Sequence, residues 1–307
     1  MFSKDELAKR VQELAAQNVY VGTSSWKYEG WRGLLYDESR YLYRGKLSEK
    51  RFQEQCLTEY AEIFRTVCVD ATFYQFPQPK MLDSIMGQVP EDFRFGFKVT
   101  SDITLKHFPN LPQHGNRGGK PNAHFLDAVH FIAGFLKPLE PYYHKVGLLI
   151  FEFTQFRAQD YPRGRDFLTD LAKFLGALPK DWSYGVEIRN MNWLQPEYFQ
   201  MLTHHRVAHV FNHWARMPPA GEQLAKEGSV TTDFLAARFL LTPGRSFAEA
   251  VKTFAPYQEI QAPDAAGRDA GRKLIGLAKT KMRRPSFVFV NNRFEGCSPR
   301  SILAMTE

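Results

Sequence analysis

Eight short apolar runs in this chain each end in groups that can hydrogen-bond or ionise, and that recurrence is the chemical signal in the sequence. The first ends at Thr23, Ser24 and Trp26, with Tyr28 and Trp31 just beyond. The second ends at Asp70, Thr72, Phe73 and Tyr74, and the third at Lys98, followed by Asp102, Thr104 and His107. The fourth carries Glu152 and Gln155, the fifth Glu187 and Arg189, and the sixth His209, Asn212 and His213. Arg238 sits in the seventh, and Asn291 and Asn292 close the eighth. Glu187 or Asp70 suits acid–base work, because a carboxylate among apolar walls can be tuned toward the working pH. Lys98 is a candidate base or Schiff-base nucleophile, though its plainer use is as a cationic anchor. Glu187 and Arg189 lie two apart on one strand, so their side chains share a face. There the arginine either closes a structural ion pair or clamps an anionic substrate.

Other chemistries find less support. A metal centre needs carboxylates and imidazoles from several neighbouring strand ends. Glu187 with His209 or His213 supplies part of such a set, but Arg238 would repel the cation, so neither metal nor cofactor is expected. No GxSxG elbow marks a serine nucleophile, and Asn116 to Lys120 (NRGGK) is not a phosphate loop of the GxxxxGK[ST] type. Trp26, Tyr28, Tyr74 and Trp193 either fill space or stack a ring of the ligand.

The elements that must position these groups are legible as periodicity. The strand runs are Val19 to Ser24, Val67 to Ala71, Phe93 to Val99, Val146 to Phe153, Tyr184 to Ile188, Val207 to Phe211, Phe234 to Leu241, and Ser286 to Val290. Helical spacing lies between most of them: Phe52, Cys56, Tyr60 and Phe64; Phe125, Val129, Ile132 and Leu136; Phe167, Leu168, Leu171, Ala172 and Leu175. Ser298-Pro299 reads as an N-cap followed by proline at the first helical position. Residues 110–121 and 216–230 read as long loops. Nearly all-apolar strands alternating with helices predict a parallel sheet covered on both faces, and eight strands close a barrel. The expected fold is α/β, a single (β/α)8 TIM-type barrel over residues 19–307, with an extra N-terminal helix (1–18; Leu7, Val11, Leu14, Ala15) packed outside it.

Several segments carry a family likeness. They are Gly22-Thr-Ser-Ser-Trp-Lys-Tyr-Glu-Gly-Trp31, Thr72-Phe-Tyr with Pro77, Phe93-Arg-Phe-Gly-Phe-Lys98, Glu187-Ile-Arg with Trp193, Arg238, and Asn291-Asn292 followed by Gly296. From about residue 20 to the C-terminus the chain resembles the DUF72 (YecE-like) family of TIM-barrel proteins. The resemblance implies the fold and no particular reaction. The chain departs from the family pattern where Ser25 replaces a usual glycine, where Cys68 and Asp70 replace Glu and Asn, and where Leu240 and Leu241 follow Arg238 in place of His-Gly. A reaction depending on that histidine, or on a glutamate at position 68, is not expected here.

The chain has 307 residues, 40 Lys and Arg against 33 Asp and Glu, a net charge of +7, and 44% hydrophobic content. That content excludes a disordered chain. No apolar run approaches the ~18 residues of a membrane span. The charged start has no secretory h-region, and Cys56, Cys68 and Cys297 form no disulfide framework, so a cytoplasmic protein without membrane association is expected. The site residues at strand ends should converge at the C-terminal barrel mouth: Asp70, Glu187 and Lys98 as catalytic groups. Ser24, Trp26, Tyr28, Thr72, Tyr74, His107, Arg189, Trp193, Asn212, Arg238, Asn291 and Asn292 should bind substrate. Lys98, Arg189 and Arg238 would repel one another unless carboxylates or a bound anion lay between them. The expectation is a small phosphorylated or carboxylated ligand there, handled by a metal-independent hydrolase, lyase or isomerase. The alternative is a nucleic-acid-binding mouth using the same charge.

Overall fold

The computed structural model describes residues 2–307. Eight strands close a barrel: β1 (Val19–Ser24), β2 (Thr66–Val69), β3 (Arg94–Lys98), β4 (Val146–Phe153), β5 (Tyr184–Ile188), β6 (Ala208–His213), β7 (Ala236–Phe239) and β8 (Ser286–Val290). Every neighbouring pair is parallel, and β8 returns to β1 with Ser286 opposite Val19. This is the α/β barrel of TIM type that the alternation predicts.

Strand alternation sorts the side chains into two apolar layers. Val19, Val21, Phe95, Phe97, Phe151, Phe153, Phe211 and Phe239 point outward against the helices. Tyr20, Cys68, Leu148, Ile150, Val210, Phe287 and Phe289 fill the interior. Large interior rings need small residues opposite them. A Cβ at Gly96 would lie 2.6 Å from Phe289 Cζ, and one at Gly147 2.4 Å from Phe287 Cζ. The same parity carries Ser24, Asp70, Lys98, Glu152, Asn212, Arg238 and Asn291 to the inner face at the C-terminal end.

The outer helices are α1 (Lys4–Ala16), α2 (Glu49–Ile63), α3 (Pro79–Met86), α4 (Gly164–Gly176), α5 (Pro196–His205), α6 (Phe247–Phe254), α7 (Ala265–Lys281) and α8 (Ser298–Met305), with shorter turns between. In α1, Leu7, Val11 and Leu14 are buried, and Ser3 caps it by accepting from the Glu6 N–H. Three local expectations need correction. The helical pattern through Phe125 starts only at Ala128, passes through a π turn at Ile132–Leu136, and leaves Val129 79% exposed. The last helix starts one residue earlier than its Ser-Pro signal suggests: Cys297 is the cap residue and Ser298 the first helical one. The segment 216–230 contains a short helix, Ala220–Leu224, held by the buried Gln223. Ser25, in place of the family's usual glycine, has φ of 72°, a left-handed conformation that glycine adopts without steric cost.

Strand β6 turns His209 outward, where it meets the Tyr198 hydroxyl at 3.2 Å and Gln223 Oε1 at 3.3 Å. Burial pushes its pKa from 6.5 down to about 3. In that interval the unfolded chain binds a proton that the folded chain does not, so stability is full above 6.5 and declines below it. The expected decline from this residue is up to about 1.4 kcal/mol per pH unit. Histidine NMR should show the His209 ring neutral in folded protein at pH 5; titration there near its ordinary value would overturn this.

Candidate active site at the barrel mouth

The interior polar layer is a cluster of three cations and three carboxylates. Arg238 lies at its centre, 2% exposed. Its Nη1 donates to Glu152 Oε2 at 2.7 Å and Glu187 Oε2 at 2.6 Å, and its Nη2 to Asp70 Oδ1 at 3.0 Å. Lys98 Nζ reaches Glu152 Oε2 at 2.8 Å. Arg189 grips Glu187 Oε1 through Nε at 3.1 Å and Nη2 at 2.9 Å, and that Nη2 also lies 3.0 Å from Glu152. The Cys68 thiol donates to Asp70 at 3.6 Å. Burial alone would raise the pKa of Glu152, but the charges of Arg189, Lys98 and Arg238 overcome it and hold the carboxyl well below the usual range. For Arg238, burial opposes the charge, and Glu187 and Asp70 outweigh it, keeping the guanidinium ionised.

These contacts correct one expectation. The space between Lys98, Arg189 and Arg238 is filled by Glu152, Glu187 and Asp70, so the three cations are neutralised within the fold. Glu187 is fully buried with both oxygens committed to guanidinium groups. Asp70 keeps 30% side-chain exposure, and its Oδ2 accepts no hydrogen bond from the described residues. Lys98 is 12% exposed and covers the Phe73 ring at 3.8 Å.

The remaining sequence candidates divide. Ser24, Asn212 and Asn291 lie in the interior polar layer. The Asn212 amide pins β6 to β5 by donating to the Ile188 carbonyl at 3.0 Å, and Asn291 Oδ1 accepts from the Arg293 N–H at 3.0 Å. Tyr74 is 56% exposed beside Phe73. Tyr28 is packed against Trp31 and Tyr257. Five candidates stand elsewhere. Trp26 is buried in the outer core, where its carbonyl accepts from the Tyr36 hydroxyl. Thr72 ties the β2 loop to β3 by donating to the Lys98 carbonyl at 2.7 Å. Trp193 stacks on Phe156 and Phe167 on the helix side. Asn292 caps the last helix, accepting from Ser298 N and Oγ at 2.8 Å each. His107 faces a neighbouring cavity, 3.1 Å from Asp160. His213 also points outward, and its hydrogen bond helps hold the Asp264 carboxyl down at about 2.

Beyond the cluster lies a cavity of about 590 Å³ over the ends of β4 to β7. Its cationic walls are Arg189, Arg216 and Arg245, its apolar walls include Trp214, Leu241 and Phe247, and no carboxylate among the described residues lines it. Arg189 belongs to both cluster and cavity, its guanidinium 4.0 Å over the Trp214 ring. Among the described residues, neither Arg216 nor Arg245 has a carboxylate within ion-pair distance; Arg216 donates to Gln155 Oε1 at 3.2 Å. Glu152 was identifiable at its strand end and, by parity with Leu148 and Ile150, as inward. Arg216 and Arg245 lie in loops, where no periodicity marks them. Among the described residues no group of three or more His, Cys, Asp or Glu side chains is placed to hold a metal ion, and no helix is long and apolar enough to cross a membrane.

A closed parallel barrel with its ionisable residues gathered at the C-terminal strand ends places this chain among the TIM-type α/β barrels. Within that class it belongs to the DUF72 family: the model for "protein of unknown function DUF72" matches residues 20–307. It is 25% identical over 185 residues to the UPF0759 protein YecE of Escherichia coli strain K12, covering 59% of this chain and 50% of that protein. The chain thus spans about half the length of the curated relatives it matches. A DUF72 family protein from Thermotoga maritima superposes with TM-score 0.61 at 19% identity, covering 94% of this chain and 97% of that one. One from Enterococcus faecalis gives 0.62 at 17%, covering 94% and 95%. At these identities the likeness is one of fold.

Proposed function

We propose that this protein binds a small phosphorylated or carboxylated metabolite at the barrel mouth and acts on it by acid–base chemistry. The observation that carries the proposal is the cavity lined by Arg189, Arg216 and Arg245 without an acid. Arg216 and Arg245, with no carboxylate partner among the described residues, attract an anion beside apolar walls more strongly than in open water, and Arg189, itself paired with Glu187 and Glu152, adds hydrogen-bond donors. The ion cluster beneath holds Arg189 in place through Glu187 and Glu152. Asp70, the one cluster carboxylate with both exposure and an uncommitted oxygen, is the proposed acid–base group, and Glu187 and Lys98 position it through Arg238 and Glu152.

Isothermal titration with inorganic phosphate, sulfate and a sugar phosphate tests the binding. Saturable binding is expected, and Arg245→Ala or Arg216→Ala should each weaken it roughly 10- to 100-fold, the loss of a charge-assisted hydrogen bond worth about 1.5–3 kcal/mol. Asp70→Asn should keep binding and lose any turnover found by screening anionic metabolites. Absence of binding at millimolar ligand with the fold intact would overturn the proposal. So would tight, steeply salt-dependent oligonucleotide binding in its place.

A further inference from the structure

A second cavity, about 370 Å³, adjoins the arginine cavity, and Thr154 and Gln155 form a wall common to both. Its character differs. Phe108, Pro109 and Phe156 line it, and its charged groups are already engaged. The Asp160 carboxylate takes Arg157 through Nε and Nη2, both at 3.2 Å, and lies 3.1 Å from His107. Lys106 Nζ donates to the Asp160 carbonyl at 2.8 Å and sits 3.5 Å over the Tyr161 ring. By contrast, the Thr154 hydroxyl and the Asn110 amide line this cavity with no hydrogen-bond partner among the described residues. One lobe is therefore cationic; the other is apolar with unspent neutral donors and acceptors.

Resting on the anion-binding reading above, we propose that the two lobes hold one ligand in two parts. Its anionic group lies against Arg189, Arg216 and Arg245. An uncharged ring bearing hydroxyl or amide edges lies in the second lobe, against Phe156 and within reach of Thr154 and Asn110. The substrate class is a phosphate ester of a neutral, hydrogen-bonding ring, whose source is either a free sugar or a nucleoside. Inorganic phosphate fills only the first lobe. The second contributes contact area and hydrogen bonds to the ring.

Titration with inorganic phosphate, a hexose phosphate and a nucleoside 5′-monophosphate separates the parts. At least one of the two esters should bind tenfold or more tightly than inorganic phosphate, and the better one names the source of the ring. Asn110→Trp, which fills the second lobe from an exposed loop position, should bring the esters down to the affinity of inorganic phosphate and leave phosphate itself unchanged. Arg245→Ala should weaken all three. Esters that bind no tighter than phosphate, or that ignore Asn110→Trp, would overturn the two-part ligand while leaving the anion site standing. Failure of all three probes would overturn both.

Discussion

Arg238→Ala should destabilise the protein by about 3–5 kcal/mol, measured as the shift in a urea or guanidinium unfolding midpoint at constant slope. The side chain donates to Glu152, Glu187 and Asp70 at 2.6 to 3.0 Å from a position 2% exposed. Removing it leaves three carboxylates facing only Lys98 and Arg189, so one buried negative charge loses its compensation. The loss is large because the remaining charge is stranded, which does not mean that the intact cluster adds that much stability. Arg238→Lys restores the charge but not the planar fork that reaches three acceptors, and should fall between the two. The sign of the pH response is a second check. In the native cluster the depressed Glu152 carboxyl contributes stability above its unfolded pKa of about 4.5, lost as pH falls through its lower folded value. In Arg238→Ala a carboxyl of the cluster takes up a proton more readily when folded, so the deficit against the native protein should narrow on acidification. A deficit below about 1 kcal/mol at neutral pH would mean that the fold repacks around the missing guanidinium.

Gly30→Ala should be the second severe substitution, at about 1–3 kcal/mol or more. A Cβ there would stand 1.7 Å from the Pro256 carbonyl oxygen and 2.6 Å from its carbon. Both are backbone atoms, so no rotamer change relieves the overlap, and the loop after β1 or the strap at Ala255–Tyr257 must move. That strap follows α6, whose approach to the barrel carries Arg245 and Phe247 to the cavity. Its own anchorage is a small cluster of Leu241, Ala250 and Phe254. Gly30→Ala should therefore weaken anion binding as well as lower stability. Gly276→Ala is the matched control. It lies within α7 with nothing inside 4 Å of the added carbon, and should be neutral or stabilising by up to about 1 kcal/mol. Equal stability of the two variants would show that the strap yields freely.

The clearest parts of the sequence were those where local pattern and burial agree. Val146–Phe153, Tyr184–Ile188 and Ser286–Val290 are the strands their apolar runs predict, because each is short and rich in β-branched or aromatic residues, as strands buried on both faces are. Phe93, Phe95 and Phe97 face the helices, which turns Lys98 inward as alternation requires. Val129 shows where pattern fails: spacing put it on a buried face, but the π turn after it changes the phase of the segment and leaves it in solvent. Trp26 and Trp193 show a related limit, since an aromatic beside a strand end has the same sequence signature whether it packs on a helix or lines a mouth.

Residue type and alternation therefore determined which face of each strand a group occupies, and with it the gathering of Asp70, Lys98, Glu187, Arg189 and Arg238 at one end of the barrel. Parity is a property of a single strand and needs no knowledge of neighbours. Which charges meet is decided across the barrel, by closure and register, and only the tertiary structure set Glu152 between three cations and neutralised the group expected to attract an anion. The open cationic surface belongs to Arg216 and Arg245, whose loops have no repeating geometry. Their position depends on how Trp214 and α6 pack over the strand ends, a contact between segments far apart in sequence and invisible in either alone.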